Sequence, residues 1–395
     1  MTKGVLDGVR VLDFGRYIAG PFCGALLGDL GADVIRIEKV DGGEDRWTTP
    51  VGRGGDGAGI LQWGRNKRGM TLNPRKPGSA EIMRRLVASA DVVIANLPPA
   101  TRIEMGLDYD ALKAIKPDII LTTMTAFGGP GPYAERVGFD GVAQAMSGNM
   151  HLTGYCDEPM KNFSPYVDYS TAAFSTIGTL AALMHRTKTG EGQHVEGALL
   201  RSALTIMNPT LIEQALLGKN RTATGNRGQT AAPSDTYQTR DGWLLVSVVG
   251  NPLYERWAKL MGEPNWLTDP RFATDEARGD HGEIVSARMA EWCRERTTGE
   301  AIAALERARI PCGEVLTPQG ALDNEHVAAS SLLQMLEFPG LGQRAPIVAP
   351  PVKLSATPLT IRRRAPTLGE HTVEILRELR FTDVEIERFN ADRAI

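Results

Sequence analysis

Asp168 stands at the head of a long, largely apolar segment, YVDYSTAAFSTIGTLAALMHRTKTG (166–190), and no other side chain in the chain has a clearer setting for chemistry. Small or apolar residues at Ala172, Ala173, Ile177, Leu180, Ala181 and Met184 recur with the spacing of one helix face. The carboxylate therefore falls at or near a helix start, where backbone N–H groups and the positive end of the helix dipole favour its ionised form. An anion held at such a point is an available nucleophile at neutral pH. Capping the helix is the ordinary role of an aspartate there, and both roles stand on this segment alone.

Other groups invite chemistry less strongly. Ala19-Gly20-Pro21 follows the apolar run VRVLDF (9–14) and reads as a tight turn opening a helix. Free N–H groups at such a start suit an anionic or carbonyl ligand. Neither GxGxxG nor GxxxxGK[ST] occurs there, which disfavours a nicotinamide-dependent enzyme. Gly24 and Gly28, four apart, are better explained by close helix packing. Lys39, and Arg75 with Lys76 in TLNPRKPG, could bind phosphates, although single cations of this kind are usually solvated. GGDGAG (54–59) carries no lysine-bearing phosphate motif and reads as a flexible loop. Cys23, Cys156, Cys293 and Cys312 form no CxxC pair, and the six histidines form no HExxH, so neither a metal site nor a disulfide framework is expected.

The elements that must position these groups alternate. VRVLDF (9–14), DVIRIE (33–38), DVVIANL (91–97) and DIILTTMTAFG (118–128) read as strands. PFCGALLGDLG (21–31), SAEIMRRLVASA (79–90) and YDALKAIKP (109–117) read as helices between them. This is the pattern of parallel βαβ units in a doubly wound sheet, whose ligands sit outside the carboxyl ends of the strands. The loops after Phe14, Glu38, Ile94 and Met124 are then the places to look. From about residue 218 the texture becomes polar and rich in Gly, Thr and Pro. TYQTRDGWLLVSVV (236–249) suggests a hairpin turning at Asp241-Gly242, with helices near 252–262, 283–296 and 299–308. A smaller α+β domain is expected over 228–325. APIVAPPVKLSATP (345–358) reads as an extended return and 369–390 as one terminal helix.

The chain has 395 residues, 42% hydrophobic and 23% charged, with a net charge of −3 and no basic or acidic block. That length suits two or three domains. The charge pattern points away from nucleic acid and from a polybasic membrane anchor. No apolar run resembles a signal peptide or a membrane span, and a cytosolic protein is expected.

Several ordered segments together resemble the class III CoA-transferase family, the formyl-CoA transferase and carnitine-CoA transferase group that also contains α-methylacyl-CoA racemase. They are VLDFGRYIAGPFCGALLGDLGADVIRIEKVDGGEDRW, NKRGMTLN (66–73), ANLPP (95–99), GLDYDALKAIKPDIILTTMTAFGGPGPY (106–133), GFDGVAQAMSGNMHLTG (138–154), the Asp168 segment and TGEGQHVEGALL (189–200). The resemblance implies a Rossmann-like large domain built from both chain ends (1–217 and 326–395), the smaller domain between them, and an interlocked homodimer. It implies that Asp168 is the nucleophile and that coenzyme A enters as substrate, with no cofactor held permanently. By the same resemblance CoA would meet Ile18 and Ala19, Lys39, Leu72 and Arg75, Asn96, Leu97 and Pro98, and Val137, Gly138, Phe139 and Asp140. Glu104 stands where many members carry a CoA-binding arginine, and Arg102 is the nearby candidate to replace it.

The racemase branch needs a histidine where this chain has Phe139, between Gly138 and Asp140. A phenyl ring moves no proton, so the resemblance points to acyl-CoA and a small carboxylic acid as substrates of a transferase. An isomerase moving CoA within one molecule and a non-catalytic CoA-binding protein are the alternatives. Which acids are exchanged is not legible.

Overall fold

The computed structural model describes residues 4–52 and 56–395, so Gly54 and Gly55 of the glycine-rich stretch lie outside the described residues. The chain divides into two units. One comprises Met1–Ser147, Phe163–Ala215 and Ala329–Ile395, the other Gly148–Asn162 and Leu216–Ala328.

The first unit opens with β1 (Arg10–Asp13), α1 (Ala19–Asp29), β2 (Asp33–Glu38), α2 (Ala58–Trp63), β3 (Lys67–Thr71) and α3 (Ser79–Ala88). It continues through β4 (Val92–Ala95), α4 (Pro99–Glu104), α5 (Tyr109–Ile115), β5 (Ile120–Thr125) and α6 (Asp140–Met146). A short excursion counted with the second unit holds α7 (Asn149–Leu152), β6 (Gly154–Tyr155) and β7 (Glu158–Pro159). The chain resumes as α8 (Tyr166–Thr189), β8 (His194–Ala198) and α9 (Leu199–Leu217).

Six strands form one sheet in the order β3-β2-β1-β4-β5-β8, with every pair parallel. The order reverses between β1 and β4, as it does at the ligand crevice of doubly wound folds. Strands covered on both faces need continuous apolar runs, and Val92, Val93, Ile94 and Ala95 are all wholly buried. One face packs Val11, Val34, Ile94 and Ile120 against α1 and α8, through Cys23, Leu27 and Ala172. The other packs Leu12, Ile35, Val93 and Leu121 against α3, through Ile82 and Leu86, and against the C-terminal helices.

The 24-residue α8 buries its small and hydroxyl side, including Thr171, Ala172, Ser175, Thr176 and Thr179. Thr179 and Thr122 of β5 share a 2.7 Å hydroxyl contact, and Thr171 donates to Ser202 at 2.8 Å. Hydroxyls satisfied in this way let a helix approach the sheet closely. The more apolar side of α8, with Phe174, Ile177 and Met184, is left exposed.

In the second unit, β9 (Ser234–Gln238) and β10 (Trp243–Ser247) form the expected hairpin, with Trp243 opposite Gln238. Helices α10 (Asn251–Met261), α11 (Asp275–Asp280), α12 (Gly282–Arg294) and α13 (Thr298–Arg307) follow, and β11 (Cys312–Glu314) pairs with β10. Its core gathers Trp257, Phe272, Met289 and Leu305. Short helices α14 (Pro318–Asp323) and α15 (Glu325–Ala329) lead back to the first unit, which resumes with the hairpin β12 (Leu333–Leu336) and β13 (Ala345–Val348).

The tail forms two helices, α16 (Thr372–Glu378) and α17 (Asp383–Ala391), where the sequence suggests one. Arg380 takes a left-handed conformation (φ 64°), and Thr382 starts α17 with a capping box completed by Glu385. A local stop and a local start outweigh the continuous charge pattern. Among the described residues, no helix is long and apolar enough to cross a membrane.

Candidate active site

Asp168 lies in the first turn of α8 but is not its cap. Asp140, the first residue of α6 and itself buried, reaches across to accept the backbone N–H groups of Val167 (2.7 Å) and Asp168 (3.2 Å) on Oδ2. The Gln144 amide, one turn further along α6, donates to Oδ1 of Asp140. The expectation that Asp168 is held as an anion by these N–H groups is therefore corrected. Burial, and then the negative charge of Asp140, push its carboxyl up to about 7. The N–H groups of this helix start are accepted by Asp140, not by Asp168.

The turn between β1 and α1 also differs from expectation. Ala19, Gly20 and Pro21 already belong to α1, and the sharp bend falls earlier, where Tyr17 adopts φ 57°. Two devices hold a non-glycine residue in this sparsely allowed region. Asn96, just beyond β4, accepts the Arg16 N–H (2.7 Å) and donates to the Arg16 carbonyl (2.8 Å), pinning the peptide groups on both sides of Arg16. Beneath it, the buried Asp13 accepts the Gly15 N–H (2.8 Å) and pairs with Lys67 (2.7 Å), which also donates to the Pro21 carbonyl. A Cβ on Gly24 would lie 3.0 Å from Asp13 Oδ2 and 3.2 Å from Lys67 Nζ, so the buried pair needs a glycine there. Tyr17 then meets Phe139 edge-on, with ring centroids 5.1 Å apart.

These pieces enclose a cavity of about 240 Å³ at the carboxyl ends of β1, β4 and β5. Asp168 opens onto it, together with Ala19, Asn96, Leu97, Pro98, Val137, Gly138 and Phe139 of the residues singled out in the sequence. Met124, Ala126, Pro99 and Leu199 add apolar walls, and Thr125, Arg16, Tyr17 and Arg136 complete the lining. The remaining sequence candidates lie outside this lining. Ile18 is the residue before α1, Leu72 sits in the core beside Met70, and Asp140 is behind the first turn of α8. Lys39 pairs with Glu44 and Arg75 with Glu104, both at 2.9 Å and both exposed. Arg102 is half-buried near Glu196, Asp108 and Glu135.

Sequence reasoning missed Arg16, Tyr17 and Arg136 as lining residues. The loops after Phe14 and Met124 were marked as ligand-bearing, and that rule of sheet topology was the available signal. Within those loops nothing in residue type separates a lining arginine from a solvated one. Chemically, the cavity offers a carboxylate titrating near neutrality, two guanidinium groups and walls that are mostly apolar apart from Tyr17, Asn96 and Thr125. That suits a nucleophile or a proton carrier acting on an anionic substrate with an apolar arm.

Comparison with known proteins gives the arrangement a context. The family model described as CoA-transferase family III matches residues 6–372. A succinyl-CoA–D-citramalate CoA-transferase of Chloroflexus aurantiacus is 35% identical over 99% of this chain and 98% of its own. A succinate–glutarate CoA-transferase of Agrobacterium fabrum is 33% identical over 95% of this chain and 96% of its own. The crystal structure of a CAIB/BAIF family protein from Brucella suis is 33% identical, with a TM-score of 0.82, covering 96% of this chain and 100% of that one.

Proposed function

We propose, from the premise that this chain belongs to CoA-transferase family III and is a CoA-transferase, that it transfers CoA through covalent intermediates on Asp168. The observation that carries the reading is the position of Asp168, a carboxylate opening onto the cavity at the carboxyl ends of the strands. In its ionised form an Asp168 oxygen attacks the thioester carbonyl, the C–S bond breaks, and CoA leaves as thiolate. The product is a mixed anhydride of Asp168 and the donor acid. The thiolate then attacks the aspartyl carbonyl, releasing the donor carboxylate and leaving an aspartyl-CoA thioester. The acceptor carboxylate attacks that thioester and expels the thiolate again. Attack of the thiolate on the acceptor carbonyl releases the new acyl-CoA and restores Asp168. No proton need be gained or lost overall, and a carboxyl titrating near 7 supplies the nucleophile whenever its proton has left.

Succinyl-CoA as donor and a small dicarboxylic acid as acceptor form part of this proposal, on the strength of the relatives named for those substrates. Phe139 in the lining offers no acid or base to invert an α-carbon, which favours transfer over racemisation.

A homodimer, interlocked as the family resemblance implies, and a cytosolic location complete the reading. Phe174, Ile177 and Met184 of α8 and Leu204, Ile206 and Ile212 of α9 are exposed, and covering such side chains is what a partner chain would do. Light scattering should give twice 42.8 kDa. A monomer that turns over at full rate contradicts the dimer. For the chemistry, Asp168→Ala should lose transfer while still binding CoA, and wild-type turnover in that variant would sink the mechanism.

A further inference from the structure

The buried charges beneath the loop between β1 and α1 find hydrogen-bond partners within the chain. Lys67 donates to Asp13, Arg36 to Asp45 and Arg46 to Glu38. Arg16 is the exception. Its guanidinium makes no hydrogen bond among the described residues: Nη1 is buried without a partner, and Asp45 Oδ1, 4.0 Å away, is itself unbonded. The side chain is 19% exposed, and it lines the cavity onto which Asp168 opens. With Nη1 turned to Asp45, Nε and Nη2 remain, the pair that a carboxylate takes side-on through two parallel hydrogen bonds.

Arg16 is also held in place. Asn96 bonds both its N–H (2.7 Å) and its carbonyl (2.8 Å), and Asp45, fixed by Arg36, stands against the far end of the side chain. Donors left unbonded at a partly buried site are costly, and only a ligand or water can supply their acceptor. The cavity bounds the size of that ligand. Its volume of about 240 Å³ falls below the roughly 300–1,000 Å³ of pockets that enclose drug-sized molecules, so a molecule reaching both Asp168 and Arg16 inside it is a small acid. The phosphates of CoA lie a whole pantetheine arm from the reacting carbonyl. Arg136, the other guanidinium of the lining, is exposed and stacked on Tyr133, which leaves Arg16 as the inner cation.

We propose that Arg16 determines acyl specificity: it binds the free carboxylate of a dicarboxylic acyl group whose other carboxyl carbon is presented to Asp168. The assignment rests on the CoA-transfer reading above. Between walls as apolar as Met124 and Leu199, a second carboxylate stripped of water is excluded unless a cation receives it, the more so beside an ionised Asp168. A monocarboxylic acyl group of the same length leaves the guanidinium unpaired. A site built to bond a polar group rejects the analogue lacking it for that reason. Donor and acceptor acids form the same mixed anhydride with Asp168 in turn, so one arginine reads both, and both are dicarboxylic.

The test compares exchange of labelled succinate into succinyl-CoA with exchange of labelled butyrate into butyryl-CoA, which has the same carbon chain with a methyl in place of the free carboxylate. Each acid is donor and acceptor at once, so one kcat/KM describes one acyl group. The wild type should favour the succinyl pair. Arg16→Gln should lose about 10- to 100-fold in succinyl exchange and change butyryl exchange by less than about twofold. Arg16→Lys, which keeps the charge without the planar fork, should recover part of the succinyl rate. Equal losses for both acyl groups in both variants would make Arg16 a support of the fold or of the shared chemistry and overturn the inference. So would unchanged succinyl exchange in Arg16→Gln, or a wild type that does not prefer the succinyl pair, a comparison that needs no variant. Wild-type protein that exchanges neither acid would instead remove the CoA-transfer reading itself.

Discussion

Replacing Asp140 by asparagine isolates what a neighbouring charge does to Asp168. The exchange keeps the shape and an oxygen that can accept the Val167 N–H, while removing the negative charge. Burial is the larger cause of the raised Asp168 carboxyl and stays in place, and Asp140 is the second. Two unit charges 4 Å apart interact by about 4 kcal/mol at an effective dielectric constant of 20, and less at longer range. One pH unit corresponds to about 1.4 kcal/mol. Since Asp140 is the smaller cause, the carboxyl should fall by about one unit, from about 7 to about 6. The helix start that Asp140 no longer neutralises acts in the same direction. Arg16 and Arg136, the other charged groups lining the cavity, are untouched by the exchange. The assay is kcat/KM for acyl-CoA between pH 5 and 9, which reports the free enzyme. Activity should rise with pH to a plateau, with a midpoint near 7 in the wild type and about one unit lower in Asp140→Asn. An unchanged or higher midpoint refutes the role given to Asp140.

Three further outcomes follow from the same geometry. Because the folded-state carboxyl of Asp168 is raised to about 7, the native chain keeps a proton that the unfolded chain has released, and stability falls as pH rises through that window. Asp168→Asn should therefore be more stable than the wild type at pH 8, by roughly 1–3 kcal/mol in urea unfolding, with the gap narrowing toward pH 5. Lys67→Ala leaves the buried Asp13 carboxylate without its cation and should cost roughly 3–5 kcal/mol in the same assay. Asn96→Ala releases the Arg16 peptide and should raise the KM for acyl-CoA several-fold more than it lowers kcat, as steady-state kinetics would show.

Much of the frame was legible because its signals are local. The buried strand at Val92–Ala95 is a continuous apolar run, and the hairpin is announced by Asp241-Gly242, although the bend centres one residue earlier, inside the Thr239 to Gly242 hydrogen bond. The readings that failed depended on partners distant in sequence. Asp168 looks like a cap until Asp140, 28 residues away, is seen to take the N–H groups. The bend at Tyr17 is held by Asn96 bonding Arg16 from 80 residues on, so no pattern near Tyr17 announces a left-handed residue. For α8, periodicity marked an apolar face, yet the hydroxyl side packs on the sheet. Partners across the packing, Thr122 and Ser202, together with carbonyls of α8 itself make burial of those hydroxyls inexpensive. Lys39 and Arg75 carried the right charge for phosphate, and their pairing with Glu44 and Glu104 appears only in three dimensions.

The central claim is a covalent bond to Asp168, and peptide mass spectrometry tests it directly. The enzyme is mixed with succinyl-CoA and trapped with hydroxylamine or borohydride. The account predicts modification or reduction confined to Asp168, and none in Asp168→Ala. Full turnover of the acyl-CoA with Asp168 unmodified would contradict it.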